Sequence, residues 1–122
     1  MAGLTNAESV ATLDARFPTT GGGDYIAYSV NGTSEFAGLA RTAVGATGWA
    51  PATNADPSVK ANANALTSAA ATSGGTVSHF AVFSASSAGV QRTDWTALAA
   101  SKTVGTGDQL THAIGAIAVT LT

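Results

Sequence analysis

The chain has no cysteine, few charges and only three prolines, and the first two shortages each close off a class of explanation. Without cysteine, neither a disulfide nor a thiolate-bound zinc can hold the fold, so stability rests on packing and hydrogen bonds. Charged residues make up 10% of the 122, against about 25% in an ordinary domain. The formal net charge is −2 and no basic cluster exists, so there is almost no counterion release to drive association with nucleic acid, and no such partner is expected. From Ala61 to Gln91 there is no lysine, arginine, aspartate or glutamate at all. A surface of that kind does little to keep isolated copies apart, which favours burial against neighbouring subunits. Long hydrophobic runs are missing too: the most apolar stretch, AIGAIAVTLT from Ala113 to Thr122, falls far short of the ~20 residues of a membrane helix. The opening Met1 to Phe17 carries Glu8 and Asp14 where a secretion signal needs unbroken apolar residues. Synthesis in the cytoplasm, with no membrane partner, is expected.

What is present describes one small domain, residues 1–122, of mainly β class: a β-sandwich or barrel-like body over 24–122 with one N-terminal α-helix over 6–16 and a loop near 48–58. Thr5-Asn6-Ala7-Glu8 has capping-box spacing, which places the helix start just after Thr5. Val10, Leu13 and Phe17 then form a helical apolar stripe, and Pro18 disfavours helix at the preceding residue. In YIAYSV, Ile26, Tyr28 and Val30 alternate as in a half-buried strand, and Asn31-Gly32 predicts a tight hairpin turn. Weak strand interrupted by Gly38 and Gly45 follows, then the loop around Trp49. SVKANANAL alternates with period two and reads as a strand, as do TVSHFAVFSA, GVQRTDWTAL, a separate KTV, and the closing QLTHAIGAIAVTLT. The expected core is Val10, Leu13, Phe17, Ile26, Tyr28, Val30, Val77, Phe80, Val82, Leu98, Leu110, Ile117, Val119 and Leu121. No coiled-coil, collagen or solenoid repeat of the kind that builds a fibre shaft is present.

The chemistry-bearing residues form no recognisable motif. His79 and His112 are the only imidazoles, and a zinc site would need them to converge with Asp24, Glu35, Asp94 or Asp108, for which no short ligand spacing exists. Each histidine reads as a strand residue bonded to a neighbour. Serines are plentiful, but G-x-S-x-G is absent. Gly21-Gly22-Gly23 does not lead into Gly-Lys-Ser/Thr, and Gly105-x-Gly107 continues with Asp108, which would repel phosphate. Trp49, Trp95, Tyr25 and Tyr28 have no basic residues interleaved and read as core or subunit-interface anchors, with glycan binding the second reading. No catalytic residue, cofactor, metal or small-molecule substrate is therefore expected.

Two stretches, GGTVSHFAVFSA and TALAASKTVGTGDQLTHAIGAIAVTL, carry a family resemblance. They resemble small tailed-phage virion proteins that are labelled tail fibre protein and in several cases look like capsid decoration (cement) proteins. The family pattern falls here on Gly75 to Phe80, Ala97-Leu98, Lys102 to Val104, Gly107-Asp108 and Gly115 to Leu121, and LTNAESVATLDARF is similar to the family's N-terminal helix. Ser84-Ala85 stands where members usually have Asp-Ala, which leaves the middle loops and the surface they contact open. The resemblance implies a structural virion component without catalytic residues, in which His79 belongs to a structural strand. The expected role is a capsid decoration protein on the capsid surface, its partners the major capsid protein and copies of itself, as a trimer by analogy with other cement proteins. A minor tail or tail-fibre component, or a host-glycan-binding module, is the alternative.

Overall fold

The computed structural model describes residues 4–121 and is mainly antiparallel β with one short helix, the class that the sequence predicts. In chain order the elements are α1 (Asn6–Arg16), β1 (Tyr25–Ser29), β2 (Thr42–Ala43), β3 (Ser58–Ala61), β4 (Leu66–Thr67), β5 (Gly75–Phe83), β6 (Thr96–Val104), β7 (Thr111–His112) and β8 (Ala118–Leu121). The chain divides into two compact units, one of Met1–Gly22, Val44–Ala65 and His112–Thr122, the other of Gly23–Ala43 and Leu66–Thr111.

In the first unit the Thr5 hydroxyl accepts from the Glu8 N–H at 3.2 Å and starts α1, while the Phe17 N–H closes on the Leu13 carbonyl at 2.8 Å before Pro18. Leu13 and Phe17 are buried, and Phe17 meets Trp49 edge-on at 5.5 Å between ring centroids. Strand β3 pairs antiparallel with β8, Ser58 opposite Leu121 and Ala61 opposite Ala118. The strand expected across SVKANANAL stops at Ala61 because Asn62 turns its side chain to other work. Its amide nitrogen donates to the carbonyls of Asn64 at 2.8 Å and Ala113 at 3.0 Å, and its oxygen accepts the Ile117 N–H at 2.9 Å. The predicted period of two holds, with the polar phase inward: Ser58, Lys60 and Asn62 are buried while Val59, Ala61 and Ala63 are half-buried.

The second unit holds a four-stranded sheet in the order β2-β1-β5-β6. Ile26, Ala27, Tyr28 and Ser29 of β1 are all buried, as are Val77, Phe80, Ala81 and Val82 of β5. Each large apolar side chain buried in this way contributes about 1.5–3 kcal/mol. The hairpin predicted at Asn31-Gly32 does not form. The turn is there, with Gly32 at φ +75° and the Asn31 Oδ1 accepting from the N–H groups of Thr33 and Ser34, but it is followed by a single backbone bond to β1, from the Phe36 N–H to the Tyr28 carbonyl at 2.7 Å, and the strands that pair with β1 are the more distant β2 and β5. Val30, placed in the core by alternation, is 42% exposed because β1 ends one residue earlier. Val10, Leu98, Val119 and Leu121 are half-buried, whereas Leu39, Val44, Leu66, Ala71 and Val104 join the core unanticipated. The two strands expected around Leu98 and Lys102 are one, β6, interrupted by a bulge between them.

Candidate functional site

His79 lies on β5 opposite Ser29, half-buried, with its Nδ1 2.7 Å from the Ser78 hydroxyl. The ring packs on Gly32: a Cβ there would lie 3.0 Å from the His79 Cε1 and Nε2 atoms, so that position needs glycine for space as well as for its positive φ. No acid is bonded to the ring among the hydrogen bonds of the described residues, so Ser78 and His79 lack the third member that orients a catalytic base. His112 is buried and is not without a partner. Among the described residues no three His, Asp or Glu side chains gather as metal ligands.

Of the acids weighed as ligands, Glu35 and Asp24 are committed to cations, Asp108 to a backbone N–H, and Asp94 is exposed. Glu35 grips Arg41 with both oxygens at 2.8 and 2.9 Å; the same guanidinium donates to the carbonyls of Ala85 and Ala88 at 2.8 Å and lies 3.9 Å over the Phe83 ring. Arg41 thus ties the 30–41 segment to the loop after β5, where Ala88 sits at φ +52°. Asp24 is buried with its Oδ1 3.0 Å from the Arg92 Nε, an ion pair in which the N–H is not aimed at the oxygen. Asp108 caps its own turn by accepting the Gly105 N–H at 2.8 Å. Asp14 accepts from the Lys60 ammonium at 2.6 Å and the Ala52 N–H at 3.0 Å; the Lys60 bond, opposed in part by desolvation, holds the Asp14 carboxyl below its usual range. The Lys60 side chain is fully buried and that of Asp14 is 39% exposed, so the pair carries the lysine charge to the surface.

The aromatics divide. Trp49 and Tyr28 are core residues, and burial pushes the Tyr28 hydroxyl, bonded to that of Thr42, up to about 12. Trp95 and Tyr25 are half-buried, Trp95 tilted against Phe83 with centroids 6.0 Å apart. Nothing in the sequence marked Arg41 or Asn62 as organising residues, since their partners lie up to 55 positions away in the chain. The exposed residues of β6 are neutral. Thr96, Ala97, Ala99, Ala100, Ser101 and Thr103 of β6 are exposed, and the hydroxyls of Thr76 and Thr103 meet at 3.1 Å.

This fold and surface define a small, mainly β protein whose polar chemistry is spent on its own architecture and whose exposed sheet strand is nearly without charge. A family model described as Podophage GP4 fiber I protein gp80 matches residues 5–120, and the chain belongs to that family of tailed-phage virion proteins. Its role is accordingly that of a structural protein of a phage virion. No curated protein matches the chain.

Proposed function

We propose that the chain is a subunit of a tail fibre, acting through protein–protein contacts without catalysis. The observation that carries this reading is the match to a fibre protein family over nearly the whole chain, residues 5–120. Self-association supplies the bulk that a short chain without shaft repeats lacks, and the charge-free run from Ala61 to Gln91 lets subunits pack without desolvating unpaired ions. The second reading, a capsid decoration protein bound to the major capsid protein, is favoured by the same neutral surface and by the absence of shaft repeats. On a closed symmetric shell, many weak contacts of one kind add together. Copy number and position in purified virions separate the two. Labelled antibody at the tail with a copy number matching the tail's symmetry supports the fibre. Labelling over the whole head, with copies in proportion to the major capsid protein, replaces it with the decoration reading.

A further inference from the structure

The four-stranded sheet ends on β6, and no described strand pairs with its outer edge. Exposed edges of nine residues are normally shortened, covered or charged, because their free N–H and C=O groups template association. Here the only charge is Lys102, whose Nζ is turned to the Thr111 carbonyl at 2.9 Å. A bulge, a device that blunts an edge elsewhere, here also takes part of β6 off the β5 ladder. Val77 faces Lys102 and His79 faces Ala97, so Ser78 alone stands against Leu98, Ala99, Ala100 and Ser101, and none of those four has a ladder partner on β5.

We propose that residues 98–102 of β6 pair antiparallel with the same segment of a second copy, about a two-fold axis at Ala100. Backbone pairing is independent of side-chain identity, so what selects the occupant is the pattern along the edge. About Ala100, Ala99 meets Ser101 and Leu98 meets Lys102, so no like charges oppose and each short side chain faces one that leaves the backbones room to approach. A strongly charged partner would find no counter-charge here. The proposal rests on the reading of this chain as a self-associating virion subunit, but not on its place at tail or capsid.

The test is sedimentation of the purified full chain across a concentration series, for wild type and Ala100→Lys. It is joined by disulfide trapping of Ala100→Cys, with Ile114→Cys, a position 69% exposed in the other unit, as the control. The expected result is a wild-type dimer, a dissociation constant raised about ten-fold or more in Ala100→Lys with an unchanged circular dichroism spectrum, and a disulfide-linked dimer from Ala100→Cys but not from Ile114→Cys. A wild-type monomer throughout would show that the bulge only blocks the edge, and would overturn the proposal while leaving the virion role intact. A trimer, or an oligomer indifferent to Ala100→Lys and not trapped by Ala100→Cys, would overturn it as well.

Discussion

In the unit built on α1, β3 and β8, the inward positions from Ser58 onward are Ser58, Lys60 and Asn62, whereas in the unit built on β1 and β5 they are Ile26, Tyr28, Val77, Phe80 and Val82. The second arrangement gains stability from area, and its strands are satisfied by the ladder. The first must satisfy each buried polar atom separately: Ser58 donates to the Thr53 carbonyl at 2.6 Å, Lys60 reaches Asp14, and Asn62 holds three backbone groups. The difference shows that period-two alternation specifies a strand without specifying which phase faces in. A polar phase can face inward where specific partners wait for it, at the cost of making stability depend on those partners one by one.

Each unit also has an apolar anchor, and removing the anchors should have the largest effect. Trp49→Ala and Phe80→Ala, at 2% and 5% exposure, are each expected to cost about 3–5 kcal/mol in chemical denaturation. A loss below about 1 kcal/mol for either would mean that its unit does not rely on that packing. The polar contrast is tested next. Asp14→Ala leaves the fully buried Lys60 ammonium without its partner and should cost about 3 kcal/mol, at the low end for buried pairs because Asp14 is partly solvated. Lys60→Met removes the buried charge and leaves Asp14 to water and the Ala52 N–H, so it should cost clearly less. Equal losses would show that the pair stabilises through packing of the lysine stem rather than through its charge.

The same pair sets an acid limit. Because the folded carboxyl of Asp14 titrates below its unfolded value of 3.8, its contribution is present above that value and is lost as pH falls through the lower folded one. Asp14→Asn should therefore flatten the wild-type loss of stability in that window, read from denaturation midpoints against pH. The second unit has an alkaline counterpart. Tyr28, raised from 10.0 to about 12, stabilises the fold below pH 10, and that contribution is lost as pH climbs from 10 to 12. Tyr28→Phe should remove the alkaline loss and at neutral pH cost about 1–2 kcal/mol, because the Thr42 hydroxyl is left buried without its partner. An unchanged alkaline profile would mean that Tyr28 is not the group responsible. Smallest of all, Gly32→Ala should cost about 1 kcal/mol from the positive φ, with the His79 ring shifting by a few tenths of an ångström; a neutral substitution would place that turn in another conformation.

Local chemistry made part of this molecule legible in advance. The Thr5 cap and the Pro18 stop bound α1 because helix ends are satisfied within one turn, and the apolar phases of β1 and β5 declared their strands because area burial is written in the residue types themselves. The shortage of charge pointed to burial against neighbouring subunits, and the family resemblance carried by the stretch around His79 and the C-terminal segment implied a virion component. Only the tertiary structure decided what depends on distant segments: that β1 lies between β2 and β5 rather than in a tight hairpin at Asn31-Gly32, that Lys60 and Asn62 face inward, that Arg41 gathers Glu35, Phe83 and two loop carbonyls, and that β6 bulges opposite Ser78 and leaves an edge open. The physical reason is one of range. A cap or an alternation is a property of residues a few positions apart, whereas a buried polar group is tolerable only if its partner arrives from elsewhere in the chain, and no local pattern encodes that arrival.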